Sequence, residues 1–278
     1  GVNNGLLLYA QSEDELATVL SHEIAHLSQR HFSRGVEFQQ KNQPLTLAAM
    51  IASFVLLATA GADAGMAAMS ATQAAAQSSA LRYSRTNEQE ADRVGMQTLA
   101  DAGFDPQSAP AMFERMMQAS RYAGGDRVPE YLRSHPLTEN RVADTRNRAR
   151  QYPRQEPAES LDYQLMRARV SNQLATSPEE AVNKFRGELA GTPRSAAAAN
   201  YGLVLALTAA GKANEARLAL DGIWSRDPER IEYIIADARI DMARRQPEKA
   251  VAKLEPRLQL APGNFPLTMA YADALMAD

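Results

Sequence analysis

The fold is decided by residues 12–32, which read SEDELATVLSHEIAHLSQRHF. Ser12 and Glu15 have the spacing of a capping box, and three consecutive acids place negative charge at the positive end of a helix dipole. Apolar residues then recur at intervals of three and four, which is typical of a helix with one buried face; they are Leu16, Val19, Leu20, Ile24 and Leu27. We therefore predict a helix from Ser12 to about Phe32.

Two histidines on this helix are four residues apart, in the pattern His22-Glu23-Ile24-Ala25-His26. Because a helix turns by about 100° per residue, positions i and i+4 share one face, with Cβ atoms about 6 Å apart. Two imidazoles placed in this way can bind one zinc ion, and Glu23 beside them can act on a zinc-bound water. His31 lies about 140° further round the helix than His26, so we expect it at the surface or behind the ligands.

The composition limits the other groups that the site can use. The chain has no cysteine, which excludes disulfides, thiolate zinc sites and a cysteine nucleophile, and its four histidines are at positions 22, 26, 31 and 135. Thirty basic residues against 33 acidic ones give no electrostatic signature of nucleic-acid binding. Fifty-one alanines and an aromatic content of 6% favour packed helices over a β-sandwich.

A catalytic zinc site needs a third protein ligand. In the absence of cysteine, the candidates are His135 or a carboxylate on another helix. Residues 87–92, NEQEAD, place Glu88 and Asp92 four positions apart, on one face of a helix that we predict from Thr86 or Asn87 to about residue 100. One carboxylate can bind zinc while the other orients a ligand histidine through its N–H group.

Residues 42–81 contain a single charged side chain, Asp63. Their most apolar run, residues 45–60, has 16 residues, and a membrane-spanning helix needs about 20. We predict a helical hairpin broken near Gly61 and Gly65. The hairpin is either buried or partly exposed within the fold, or it contacts a membrane or covers the substrate, since so large an apolar surface needs a cover.

The C-terminal part of the chain repeats with a period of 34 residues, which separates Ala216 from Ala250, Leu220 from Leu254 and Pro228 from Pro262. This period, with a small residue on a second helix and a proline after it, resembles the tetratricopeptide repeat. We predict about three repeats and a final helix from Phe265.

These patterns predict a first domain over residues 1–152, a linker at 153–159 and a tetratricopeptide-like domain over 160–278. The apolar run at residues 6–9 is typical of a short strand, whose partner strand we expect before Gly1. The first domain is therefore expected to be incomplete at its N-terminal side, and the chain to be a fragment or a processed form.

Three segments together resemble one family. HEIAH, then NEQEADRVG about 60 residues later, then SHPLTENR are similar to the zinc peptidase family of HtpX and the CAAX prenyl proteases. The C-terminal repeats resemble those of its BepA-type members from the Gram-negative periplasm. The resemblance implies a mainly α fold, in which a zincin-like metalloprotease domain of helices and a small β element precedes an α-solenoid.

The resemblance also implies roles for individual residues. It assigns zinc to His22, His26 and Glu88, with Glu23 as the general base. Asp92 matches an acidic position that supports a zinc ligand. His135 and Arg141 match a pair near the metal and the scissile carbonyl, and in the resting state His135 occupies the open zinc position, so the enzyme is latent.

From these features we expect a periplasmic zinc endopeptidase that acts on proteins or peptides. The resemblance implies outer-membrane β-barrel proteins and their assembly machinery as partners, bound through the repeats. One alternative is a chaperone or assembly adaptor in which catalysis is secondary, because a solenoid presents a concave binding surface. Another is a zinc hydrolase with a different substrate, since HExxH indicates an activated water and not its target.

Overall fold

The computed structural model describes residues 4–123, 130–153, 155 and 160–277, and every regular element in these ranges is a helix. The chain divides into two compact units. The first unit is Tyr9–Ala158, and the second combines Gly1–Leu8 with Glu159–Asp278. The predicted linker at 153–159 lies largely outside the described residues and stays a prediction.

The described residues of the first unit form six helices. They are α2 (Glu13–Ser28), α3 (His31–Ala60), α4 (Ala62–Asp101), α5 (Ser108–Ala123), α6 (Glu130–Ser134) and α7 (Glu139–Ala149). Helices α4 and α5 pack on α2, and the methionine-rich side of α5 is buried. The chain leaves the helical conformation at His135-Pro136, because α6 ends at Ser134 and α7 begins only at Glu139. Thr138 caps α7 by accepting a hydrogen bond from the Arg141 N–H.

Helix α2 begins as predicted, because the Ser12 hydroxyl accepts a hydrogen bond from the Glu15 N–H at 3.3 Å. Its predicted end near Phe32 is wrong. The helix stops at Ser28, Arg30 adopts a left-handed conformation with φ of 55°, and a new helix starts at His31. The chain therefore changes direction between His26 and His31.

The predicted buried face of α2 is also wrong in part. Val19 is buried, but Leu20, Ile24 and Leu27 are exposed. The face that packs on α4 and α5 carries smaller and polar side chains instead: Thr18, Ser21, His22 and Ala25. Leu20, Ile24 and Leu27 are exposed because the side of the helix that carries His22 faces the core.

Helices α3 and α4 form the predicted hairpin, which turns at Gly61 with φ of 96°. Gly65 does not break the chain, since it lies inside α4. The predicted helix start at Thr86 or Asn87 is wrong as well, because α4 continues without interruption for 40 residues. Thr86 does not cap a helix, since its hydroxyl donates to the Arg82 carbonyl one turn earlier.

Helix α3 corrects the expectation that residues 45–60 are too short to cross a membrane. The apolar run belongs to a 30-residue helix that is long and apolar enough to span a bilayer by length and composition. Very little of its most apolar stretch is buried inside the protein. The hairpin is therefore a largely exposed element.

The second unit contains α1 (Asn4–Tyr9) and seven further helices. These are α8 (Leu161–Gln173), α9 (Pro178–Ala190), α10 (Ala196–Ala209), α11 (Ala213–Trp224), α12 (Ile231–Ala243), α13 (Pro247–Leu260) and α14 (Phe265–Ala277). Residues one period apart occupy equivalent buried positions, since Leu220 of α11 and Leu254 of α13 are both fully buried. The unit is a helical, repeat-like array, as the periodicity indicates.

The predicted strand at residues 6–9 is wrong, because these residues belong to α1. Leu7 is buried, and the Arg167 guanidinium donates to the carbonyl oxygens of Leu7 and Leu8 at 3.1 and 3.4 Å. The last carbonyl groups of a helix have no N–H donor within the helix. Arg167 supplies donors to two of them. The small β element of the expected fold is absent from the described residues.

Candidate metal centre

Helix α2 places His22 and His26 one turn apart on the side that faces α4. Their Nε2 atoms are 3.0 Å apart. His22 is almost fully buried, while the side chain of His26 is 17% exposed. The pair therefore presents two nitrogen atoms at a common point near the surface, as the HExxH spacing predicts.

Helix α4 brings Glu88 to the same point. One carboxylate oxygen of Glu88 lies 3.5 Å from His22 Nε2, and the other lies 3.3 Å from His26 Nε2. The two helices approach closely at Gly95, where a Cβ atom would lie 3.0 Å from the backbone of His22. Glycine at this position allows α4 to present its carboxylates to α2.

The segment between α6 and α7 adds His135. Its Nδ1 atom lies 3.0 Å from Glu88 Oε1. One ligand atom from each of His22, His26, Glu88 and His135 lies within 4.8 Å of all the others. Three imidazoles and one carboxylate, in a chain without thiolates, are a donor set of the kind that zinc takes. The residues present therefore fit a zinc ion.

Glu23 is next to this cluster without belonging to it. Its side chain is 43% exposed, and Oε1 lies 3.4 Å from His135 Nε2. That oxygen is shielded from solvent and accepts no hydrogen bond from the described part of the chain. A carboxylate oxygen in this position is available to accept a proton.

Asp92 and Arg141 lie behind the cluster. Asp92 Oδ1 is 3.0 Å from His22 Nδ1, and Arg141 binds both oxygens of Asp92 at 2.7 Å. A third guanidinium nitrogen of Arg141 is 2.9 Å from Glu88 and donates to the Pro136 carbonyl at the same distance. The buried side chain of Arg141 thus connects Asp92, Glu88 and the segment before α7. Its predicted role near the scissile carbonyl stays a prediction.

The charges of the cluster reinforce one another. Burial opposes the ionisation of Glu88, but hydrogen bonds from His135, His22 and His26 and the charge of Arg141 hold the pKa of Glu88 well below its ordinary value. Burial likewise opposes the charged form of Asp92, and the bonds from Arg141 and His22 lower its pKa. Both carboxylates are therefore ionised, which favours a cation at the point where Glu88 meets the histidines.

His31 supports His26 in a way that the sequence did not specify. Its Nδ1 atom lies 2.9 Å from His26 Nδ1, and its Nε2 atom lies 3.2 Å from Glu90 Oε2. Arg34 donates to the same Glu90 oxygen at 2.9 Å. Of the two predicted places for His31, the buried one behind the ligands is confirmed. The sequence feature that could have indicated a partner for His31 is Glu90, which lies midway between Glu88 and Asp92.

Tyr131 is a second residue that the sequence analysis missed. Its ring stacks on His135, with centroids 5.0 Å apart, and its hydroxyl is buried without a hydrogen-bond partner among the described residues. Burial and the charge of Glu23 raise the pKa of Tyr131 well above its ordinary value, so the phenol keeps its proton. The sequence feature that could have indicated this contact is the aromatic residue four positions before His135.

Comparisons with known proteins agree with this geometry. The family model of Peptidase family M48 matches residues 1–149. The chain is 37% identical over 255 residues to the beta-barrel assembly-enhancing protease of Escherichia coli O157:H7, a match that covers 91% of this chain and 52% of that protein. The chain thus spans about half the length of the curated relatives it matches in this way.

Two further relatives match shorter stretches. The putative beta-barrel assembly-enhancing protease of Vibrio cholerae is 49% identical over 169 residues, 61% of this chain and 34% of that protein. The mitochondrial metalloendopeptidase OMA1 of Arabidopsis thaliana is 34% identical over 141 residues, 50% of this chain and 25% of that protein. The family match covers more than half of the chain and includes all four residues of the cluster, so the chain belongs to peptidase family M48.

Proposed function

We propose that this chain is a zinc-dependent endopeptidase. The observation that carries the proposal is the convergence of His22, His26 and Glu88 beside a carboxylate oxygen of Glu23 that accepts no hydrogen bond. Family M48 is a peptidase family, and the relatives are named as a protease and as a metalloendopeptidase. Both facts favour peptide hydrolysis over other reactions of a zinc hydrolase.

His22, His26 and Glu88 would hold the metal, two through imidazole nitrogen and one through oxygen. When bound, zinc supplies a Lewis acid that polarises the carbonyl of the substrate and acidifies water. Asp92 fixes the orientation of His22, and His31 fixes that of His26, through the ring nitrogens that face away from the cluster. Such contacts also raise the basicity of the ligand nitrogens.

Glu23 acts as the general base. Its oxygen takes a proton from the attacking water and then passes it to the leaving amine, so that one carboxylate serves both steps. Its position next to His22 on α2 keeps it in reach of the cluster without making it a ligand. Tyr131 lies beside His135 in the same space and carries a hydroxyl able to donate a hydrogen bond to the developing oxyanion.

His135 keeps the resting enzyme latent. It lies within the ligand set, 3.0 Å from Glu88, and its Nε2 atom is 3.4 Å from the proposed base. A histidine in this place blocks both a ligand position and the base. Substrate access therefore requires the segment between α6 and α7 to move.

The substrates belong to the assembly of outer-membrane β-barrel proteins in the periplasm. The relatives with the longest matches are named for β-barrel assembly and come from Gram-negative bacteria. The repeat-like second unit would bind these proteins or their assembly machinery. An adaptor role with secondary catalysis is the second candidate, which the exposed apolar residues Leu218, Leu260 and Phe265 of this unit favour.

The test is a Glu23→Gln variant, with Glu13→Gln as the matched control on the exposed side of the same helix. Both proteins are loaded with zinc and assayed for cleavage of an unfolded β-barrel protein. We expect Glu23→Gln to keep its zinc and lose about 100-fold or more of the activity, while the control is unchanged. Full activity in Glu23→Gln would remove the base from the mechanism. Rescue of a depleted strain by the same variant would favour the adaptor role.

A further inference from the structure

The α3–α4 hairpin carries a large apolar surface that the protein itself leaves uncovered. Between positions 42 and 81, ten large apolar side chains of the hairpin are exposed by 37 to 71%. They are Leu45, Leu47, Met50, Ile51, Phe54, Val55, Leu56, Leu57, Met66 and Leu81. A contiguous surface of this kind on a protein marks a place where something else binds.

The exposed side chains surround α3 instead of forming one narrow stripe. Residues 54–57 are consecutive, and all four are exposed. At about 100° per residue they point in almost every direction around the helix. A protein partner that packs on one face would leave several of them in water, whereas a lipid phase contacts all of them at once.

Four hydroxyl groups in the apolar part of the hairpin are satisfied within their own helices. The side chains of Thr46, Ser53, Thr59 and Thr72 each donate to the backbone carbonyl four residues earlier, at 2.8 to 3.1 Å. A polar group that enters an apolar phase must bring its hydrogen-bond partner with it. The single charged residue in the apolar segment, Asp63, lies in the first turn of α4, beside the hairpin turn.

The two helices of the hairpin have different outer faces. On α3, Ser53 is buried and Ile51 and Val55 lie about 200° from it, so large apolar groups cover the outer side. On α4, the exposed positions include Ala71, Ala74 and Ser78, which are small. The side of α3 is therefore the one that enters an apolar phase.

Basic residues lie where the hairpin joins the rest of the first unit. Phe38 of α3 stacks on Tyr83 of α4, with ring centroids 4.3 Å apart, which fixes the register of the two helices there. Lys41, Arg82 and Arg85 lie within a turn of these rings and are exposed. The nearby acid on α3 is Glu37, so three basic residues outnumber one acidic residue in this part of the hairpin. The region is therefore positively charged and complementary to an anionic headgroup.

We propose that the hairpin docks the protein on an anionic phospholipid bilayer, with the outer face of α3 in the acyl region and Lys41, Arg82 and Arg85 at the headgroups. The surface is separate from the metal centre, so the inference does not rest on the proposed peptidase function. Because α3 starts at His31, about 15 Å along the helix from Lys41, docking would hold the metal centre close to the membrane surface.

The first experiment measures flotation of the whole chain with vesicles. One set contains phosphatidylethanolamine and phosphatidylglycerol, and the other contains phosphatidylcholine alone. The double variant Ile51→Asn/Val55→Asn should bind the anionic vesicles about tenfold less well or worse, since the loss of a buried apolar side chain of this size costs about a factor of ten or more. Leu174→Asn, at an exposed leucine of the repeat-like unit, is the matched control and should bind like the parent.

Charge reversal separates the headgroup contribution. Lys41→Glu and Arg82→Glu should each weaken binding to the anionic vesicles by about fivefold and change binding to phosphatidylcholine much less. Unchanged binding by the apolar double variant, or no flotation of the parent chain with either vesicle, would overturn the proposal. Glu23→Gln should float like the parent, so this result is independent of catalysis.

A second experiment locates the contact. Because the chain has no cysteine, Ile51→Cys and Ser78→Cys each give one site for an environment-sensitive dye. On addition of anionic vesicles, the dye at 51 should shift to the blue and be quenched by brominated lipid, and the dye at 78 should respond much less. No shift at 51 would refute the proposal. A shift without vesicles, accompanied by dimer formation, would also refute it, because the occupant would then be a second copy of the chain.

Discussion

The Nδ1 atoms of His26 and His31 lie 2.9 Å apart, so a histidine that is not in the ligand set supports one that is. One of the two nitrogens must carry the proton that joins them. When His26 uses Nε2 on a metal, its Nδ1 is the donor and His31 is the acceptor. Glu90 then accepts from the other nitrogen of His31, and the chain of contacts fixes both rings.

Loss of His31 should weaken metal binding without removing a ligand. We expect His31→Ala to lower zinc affinity by about 10-fold to 100-fold, which is the usual cost of losing a residue that orients a ligand. His31→Gln keeps an acceptor for His26 and should recover part of the affinity. Competition with a chromophoric chelator measures this, with the exposed neighbour Phe32→Ala as control. Equal affinity in His31→Ala and the parent would contradict the role.

Gly95 should resist substitution by alanine. A Cβ atom there would lie 3.0 Å from His22 backbone atoms, so α4 must shift away from α2. We expect Gly95→Ala to lower the free energy of unfolding by about 1–3 kcal/mol, as overpacking does, although alanine is the better helix former.

The control for Gly95 is Gly187→Ala, another helical glycine, where nothing lies within 4 Å of the added carbon. This change should stabilise the chain by about 0.5–1 kcal/mol. Urea unfolding of both variants measures the difference. Stabilisation of similar size in both would show that the contact at His22 is not tight.

Asp14 should give a pH-dependent contribution to stability. Burial raises the pKa of Asp14 above its ordinary value of 3.8. Because the folded pKa is the higher one, the contribution of this carboxyl is fully present below the unfolded pKa and is lost as pH rises through the folded pKa. The stability of the parent relative to Asp14→Asn should therefore fall as the pH rises above about 4, the ordinary pKa of an aspartate. A difference that grows with pH would have the wrong sign.

Removal of His135 should increase the activity of the resting enzyme. The side chain of His135 lies 3.0 Å from Glu88 and 3.4 Å from Glu23, so its removal frees a ligand position and the base. We expect His135→Ala to retain zinc. The variant should cleave an unfolded substrate several times faster than the parent, because a larger fraction of its molecules is free of the inhibiting contact. Loss of cleavage with zinc still bound would identify His135 as an oxyanion donor instead.

Much of the site could be predicted because the residues of each pair lie close together in the sequence. The spacing of His22 and His26 and the pairing of Glu88 with Asp92 both follow from helix geometry, and the Ser12 cap marks where α2 begins. Each pair needs only the knowledge that its segment is helical. The meeting of the two segments rests on the resemblance and on the need for a third ligand.

The remaining features depend on contacts between distant residues. Residues 6–9 are too short a run for periodicity to separate strand from helix, and the contact of Arg167 with the end of α1 is not visible in the sequence. The turn at Arg30 involves no glycine or proline at that position. Without that turn, His31 would lie on the wrong side of α2, so its contact with His26 could not be anticipated.

The continuity of α4 was hidden by the polar residues 84–87, which are typical of a helix start. The segment is helical because it lies between the contact of Tyr83 with Phe38 and the contact of Gly95 with His22. Tertiary packing on both sides outweighs the local preference. This continuity also connects the apolar hairpin directly to Glu88, the proposed metal ligand on α4.

We propose that three side chains from α2 and α4 bind one zinc ion. A crystal structure of the zinc-loaded chain, with anomalous data at the zinc edge, tests this. We expect one strong peak bonded to His22 Nε2, His26 Nε2 and a Glu88 oxygen, with Glu23 unbonded. A peak at another place, or a bond from Glu23 in place of Glu88, would contradict it.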